Sequence, residues 1–145
     1  MEVLLMPLNG EFIQSTDVIG DLTDWSASQV VTNMVVGNGT MDSKYNQTGE
    51  LVFWRVRFVL GTTSTMGTSV LLTPPVSPVA NAASSYGLQM RDTSVPANFH
   101  GITTWSGGFI VLCTLAAAQT STTAATPFVW ATGDSFAFTL WYEAA

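Results

Sequence analysis

From Gln29 onward the chain alternates short runs of β-branched and aromatic residues with clusters of Gly, Asn, Pro, Ser and Thr, the spacing of strands and turns. No stretch sustains the apolar period of a helix. The clearest strand runs from Leu51 to Leu60. Its alternation by twos puts Val52, Trp54, Val56, Phe58 and Leu60 on one face, predicted to look into a core, and Leu51, Phe53, Arg55, Arg57 and Val59 on the other. The last run, Ser135 to Tyr142, repeats the pattern, with Phe136, Phe138, Leu140 and Tyr142 on the core side and Trp141 on the opposite face.

Between these lie weaker signals. Gln29 to Val36 ends at Gly37-Asn38-Gly39, residues that tolerate positive φ, so a hairpin into Thr40 to Asn46 is expected, followed by a turn at Gln47-Thr48-Gly49. Gly61 to Thr68 reads as a loop and Ser69 to Thr73 as a short strand stopped by Pro74-Pro75. Ser85 to Arg91 alternates, with Tyr86, Leu88 and Met90 on one side. Phe99 to Trp105 and Gly108 to Leu115 read as adjacent antiparallel strands around Ser106-Gly107. Gln119 to Thr126 is a Thr/Ala/Ser loop, and Thr132-Gly133-Asp134 turns the chain into its final strand after Phe128 to Ala131. The sum, about eight strands, predicts an all-β fold: an antiparallel β-sandwich of jelly-roll or related Greek-key type over residues 25–145. Met1 to Asp24 contains Pro7 and alternates only over Phe12 to Val18, so residues 1–24 are expected to form an N-terminal arm or docking segment.

Composition adds a constraint. The 145 residues suffice for one core, and 47% are hydrophobic, yet only 10% are charged, against about 25% in an average soluble domain. A surface so short of charge is expected to be hidden in an oligomer or larger assembly. The longest apolar run, Gly108 to Ala118, is shorter than the ~18 to 20 residues of a helical membrane span, so no membrane partner is expected. Glu2 stands where a secretory leader needs basic residues, which points to assembly in a cytoplasm, and the lone Cys113 excludes an intrachain disulfide. Lys44, Arg55, Arg57 and Arg91 are the whole basic complement of a chain with net charge −6, which opposes binding to nucleic acid. The acids are uneven. Glu2, Glu11, Asp17, Asp21 and Asp24 all precede residue 25 with no base among them.

Candidate chemistry is sparse. His100 is the sole imidazole, and its only attractive partner, Cys113, sits in an apolar run where a thiol behaves as a small hydrophobe. One His and one Cys cannot make a zinc site. Asp17, Asp21 and Asp24 do not have the spacing of an EF-hand loop and read as solvated or turn-capping residues. Asp42, Glu50, Asp92, Asp134 and Glu143 are scattered and nominate no glycosidase pair, Asp134 being read as an anchor for its turn. Asn38 and Asn46 head glycosylation triplets and are read as turn asparagines. No catalytic residue, cofactor or metal is therefore expected. Trp25, Trp54, Trp105, Trp130 and Trp141 are a high count for this length, most of them expected in the core. The residues expected to meet a subunit or another component are Trp141, Arg55, Arg57, Phe53 and Phe12.

The segment Val36-Gly37-Asn38-Gly39-Thr40, then Tyr45, Gly49, Val52-Phe53-Trp54-Arg55-Val56-Arg57 and Gly61-Thr62-Thr63-Ser64, resembles a domain of virion proteins from tailed phages of actinobacteria. Pro127-Phe128-Val129-Trp130-Ala131-Thr132-Gly133-Asp134 and the closing Tyr142-Glu143-Ala144-Ala145 look like the end of such domains. The resemblance spans Trp25 to Ala145 in outline and is weak from Pro78 to Phe99. It implies a trimer-forming sandwich without catalytic residues, normally the C-terminal module of a minor tail or fibre protein. This chain carries no shaft, collagen-like repeat or coiled coil, which shifts the expectation toward a non-enzymatic capsid decoration protein on the virion, partnered by itself and by the major capsid protein or a tail component. The alternative is a tail-fibre or baseplate receptor-binding head for host surface saccharide. A hydrolase acting on envelope glycans is a third, poorer reading.

Overall fold

The computed structural model describes residues 21–79, 86–115 and 120–145. Ten strands occur among them: β1 (Thr23–Asp24), β2 (Val31–Val35), β3 (Thr40–Thr48), β4 (Leu51–Val59), β5 (Thr65–Leu72), β6 (Tyr86–Asp92), β7 (Ala97–Ser106), β8 (Phe109–Thr114), β9 (Thr120–Ser121) and β10 (Ser135–Glu143). All their pairings are antiparallel, along the path β1-β3-β4-β10-β6-β7-β8-β5-β2, with β9 joined to β8 beside β5. The all-β antiparallel class expected from the alternation is the class found. Within it, β5-β8-β7-β6 has Greek-key order: β6, β7 and β8 are hairpin-linked, and β5, which precedes them in the chain, lies beside the last of the three.

The path must curl. Laid flat, nine strands would span about 38 Å at ~4.8 Å per strand. Yet the two long strands nearest its ends, β2 and β3, are joined only by Val36–Gly39, which reaches no more than about 18 Å. The concave side holds the core: Val52, Trp54, Val56 and Phe58 of β4, Phe136, Phe138, Leu140 and Tyr142 of β10, Leu88 and Met90 of β6, Ile110 and Leu112 of β8, and Met66, Val70 and Leu72 of β5. Trp54 meets Phe138 edge-on at 5.4 Å between centroids, and Trp105 packs on Tyr142 at 5.2 Å. Of the described tryptophans only Trp54 is fully buried; Trp25, Trp105 and Trp130 are half-buried and Trp141 is exposed.

The expected hairpin between the first two runs does not form. β2 pairs with β5, and β3 pairs with β4 and β1. Gly37 does take positive φ (56°) and Gly39 N donates to Val36 O at 2.9 Å, but the polar groups of Asn38 are committed elsewhere. Asn38 Oδ1 accepts from Thr63 N at 2.9 Å and from Thr63 Oγ1 at 3.0 Å, and Asn38 Nδ2 donates to Thr62 Oγ1 at 2.9 Å. A Cβ on Gly37 would lie 2.5 Å from Thr63 O. The turn is thus clamped to the β4–β5 connection and carries the chain across the core to the far end of the path.

Two boundaries also differ. β5 begins at Thr65, four residues inside the expected loop, because Met66 is buried there and pairs with Met34 of β2. The register between β2 and β5 shifts between Thr32 and Met34, where β5 bulges through Gly67, Thr68, Ser69 and Val70 opposite the single residue Asn33; Ser69 and Asn33 take φ of 56° and 60°. Asn46 lies within β3, while the reversal falls at Gly49 (φ 61°). The arm expected over residues 1–24 lies outside the described residues as far as residue 20, and Phe12 with it. Its last two residues, Thr23 and Asp24, pair with Tyr45 and Lys44 as the edge strand β1.

Candidate docking face

Strand parity decides what the convex surface displays. Because core residues of β4 and β10 are even-numbered, the odd ones face outward; on β3 and β7 the even-numbered residues do so. The ladders set them in rows: Asp42, Arg57, Ala137, Gln89 and His100 in one, with Lys44, Arg55 and Thr139 in the next and Asn46, Phe53 and Trp141 beyond. On the other flank, Val59, Ser135, Arg91 and Asn98 share a row.

This arrangement brings together four of the five residues singled out for contact. Phe53 and Trp141 are direct cross-strand partners, their rings 4.6 Å apart and tilted by 59°, and Trp141 stays 41% exposed. Leu51, in the following row, is 49% exposed. Arg55 reaches Asp42 at 3.4 Å, and Lys44 lies 3.9 Å from the same carboxylate. Arg57 and Arg91 are exposed, and neither has a carboxylate within 4.0 Å among the described residues.

Sequence reasoning missed Lys44, Gln89, Arg91 and His100 as members of this face. Their signal was available in principle: each is one step out of phase with the core residues of its strand, but only the strand order shows that five strands share one surface. Small side chains on the middle strands leave a trough of about 760 Å³, floored around Gly87, Ala137 and Thr139 and walled by Arg55 and Arg57 on one side and Gln89 and His100 on the other. A second hollow of about 250 Å³ continues it between Arg57 and Arg91 over Ser135.

Other candidates resolve into structural roles. The ladder sets His100 beside Gln89 and Cys113 beside Ile102, so the imidazole and thiol are not cross-strand partners; Cys113 is buried with Thr104 Oγ1 at 3.9 Å. Asp134 is fully buried, its Oδ1 accepting from Thr93 N (2.8 Å) and Oγ1 (2.9 Å) and its Oδ2 from Ala131 N (2.7 Å). Asp92 Oδ1 accepts from Ser94 Oγ at 2.6 Å and Ser94 N at 2.8 Å, and the Ser94 hydroxyl above all holds this carboxyl below its ordinary value. Hydrogen bonds from Ser26 do the same for Asp24. Among the described residues no group of three or more His, Cys, Asp or Glu side chains is placed to hold a metal ion, and no helix is long and apolar enough to cross a membrane.

Neither the protein-family models, nor the curated proteins, nor the solved structures contain a match to this chain.

Proposed function

We propose that this chain is a non-enzymatic structural protein of a tailed-phage particle, a small oligomeric decoration or stabilising protein held on the capsid by many copies of a modest contact. The supporting observation is the convex face just described. An aromatic pair, half-buried Phe53 and exposed Trp141, lies beside Arg55 and Arg57 on the sheet, the mixture of aromatic anchor and arginine that recurs in protein contacts. The scarcity of charge elsewhere supports the same reading, because a chain with 10% charged residues gains solubility by covering such a face. Attachment through many equivalent contacts stiffens a shell without requiring a deep pocket at any one of them.

The same aromatic platform beside a polar trough favours one alternative, a receptor-binding head that stacks a host sugar on Trp141. Antibody against the purified chain, applied to tailed-phage particles grown on an actinobacterial host, separates the two. Gold label over the capsid faces is the expected result. Label confined to the tail tip transfers the protein to the alternative, and particles without label overturn both.

A further inference from the structure

The basic residues of this chain are segregated. All four of its lysines and arginines, Lys44, Arg55, Arg57 and Arg91, project from the convex face of β3, β4 and β6, and the only histidine, His100, joins them from β7. Asp42 answers Arg55 and Lys44. Arg57 and Arg91 flank the small residues Ala137 and Ser135 at the end of the trough, and among the described residues Asp42 is the one acid lining either hollow. Guanidinium groups along a groove, with no carboxylate within 4.0 Å among the described residues, call for an anionic occupant of extended shape.

The complementary charge is in the chain itself. Half of its ten acids precede residue 25, and Glu2, Glu11 and Asp17 belong to residues 1–20, which hold no lysine or arginine. That segment joins the fold at β1, on the outer edge of β3, the strand that borders the basic face. Direction then separates self from neighbour. Followed toward the N-terminus, β1 passes from Lys44 to Tyr45, and Asn46 Nδ2 donates to Asp21 O, so the chain leaves toward the Thr48 end of β3. Arg57 and Arg91 lie toward the opposite end, in the rows of Asp42 and Thr40. To reach them in its own molecule the leader must reverse. To reach a neighbouring copy it need only continue, and 20 residues extend to as much as about 70 Å.

We propose that the basic trough is the seat of the acidic leader, residues 1–20, of a neighbouring copy, with the carboxylates of Glu11 and Asp17 against Arg57 and Arg91. This rests on the reading of the chain as a self-associating particle protein and gives that association its chemistry. Each molecule then lends one arm and receives another, a head-to-tail contact that closes into a ring when the rotation allows.

Sedimentation velocity on full-length chains tests it. The wild type is expected to associate, and to do so at least about tenfold less tightly when salt is raised from about 0.05 to 0.5 M, as surface ion pairs are screened. R57E/R91E is expected to sediment as a monomer, and so is E11K/D17K. The chain carrying all four changes restores the opposite charges and is expected to associate again. Because these arginines are exposed, each variant should keep the wild-type near-UV circular dichroism, which separates lost contact from lost fold. Association untouched by R57E/R91E, or no recovery in the fourfold variant, overturns the leader contact while leaving the particle role standing. A wild type that stays monomeric at every concentration overturns the self-association beneath both. If polygalacturonate binds the wild type, fails to bind R57E/R91E, and leaves self-association unchanged, the trough belongs to an anionic saccharide and the leader proposal falls.

Discussion

The indole Nε1 of Trp54 donates a 2.9 Å hydrogen bond to Ser43 Oγ, and both residues are fully buried between β3 and β4. Ser43 passes the interaction on, its hydroxyl donating to Gln29 Oε1 at 3.0 Å. Ser43→Ala leaves a buried N–H without its acceptor and should destabilise the fold by about 2 kcal/mol. In a Trp54→Phe background that donor is absent, so the Ser43→Ala cost should shrink by about 1 kcal/mol. Urea denaturation of the four proteins in the cycle checks it; equal costs in both backgrounds would refute the coupling.

Asp134 ties the turn before β10 to the loop after β6. Asp134→Ala strands the amide groups of Thr93 and Ala131 and should cost about 3 kcal/mol, near the upper range for charge-assisted hydrogen bonds. Asp134→Asn keeps one acceptor oxygen and should lose less. Thermal melts ordered wild type, Asn, Ala would agree with this assignment, whereas an unchanged midpoint for the Ala variant would contradict it.

Asp92 should shape the acid limb of stability. Its folded carboxyl titrates below the ordinary value of 3.8, chiefly because of Ser94 Oγ, so the unfolded chain binds protons more readily. The stabilisation is present above pH 3.8 and is lost as pH falls through the lower folded value. Replacing Asp92 with Asn should flatten the stability curve in this acid range. Denaturant midpoints at closely spaced pH values measure it, and curves that stay parallel would rule out the linkage.

At the alkaline end the residue to watch is Tyr142. Burial pushes its hydroxyl up to about 12 from an ordinary value of 10.0, against the opposing effect of its hydrogen bond to Val76. The hydroxyl donates to Val76 O at 2.8 Å and accepts from Val76 N at 3.2 Å. Between pH 10 and about 12 the unfolded chain ionises while the folded one does not, so stability should fall across that window. Tyr142→Phe should lower stability at neutral pH by about 1 kcal/mol and remove this alkaline component. Absorbance titration of phenolate against the Phe variant reads the ionisation directly.

Much of the strand inventory was legible because burial on one side of a sheet imposes a two-residue period. The faces of Leu51–Leu60 and Ser135–Tyr142 were assigned residue by residue, and Val52, Trp54, Val56, Phe58, Phe136, Phe138, Leu140 and Tyr142 are buried as expected. Partners were harder. Gly37-Asn38-Gly39 has the composition of a hairpin turn and closes a turn bond from Gly39 N to Val36 O, but the hydrogen bonds of Asn38 go to Thr62 and Thr63, a fact of tertiary contact that local sequence does not carry. The start of β5 was hidden by its Thr, Met, Gly and Ser residues, whose strand conformation depends on pairing with β2. On the candidate face, Phe53, Arg55, Arg57 and Trp141 could be named from parity alone. Arg91, Gln89 and His100 required the order β4-β10-β6-β7, which nothing in the spacing of the runs dictates.

The left-handed backbone at Asn33 of β2 bears on how copies avoid fusing. An exposed edge strand offers a free row of amides and carbonyls on which another chain can add, the first step toward amyloid-like stacking. On β2 that row is interrupted in its middle, where Asn33 takes a left-handed conformation and spends its side-chain amide on Ser69 O at 3.1 Å. At the other end of the path, β1 is only two residues long. With both borders poor templates, a concentrated population of these molecules is steered away from runaway fibre growth even though its strands are apolar and nearly uncharged.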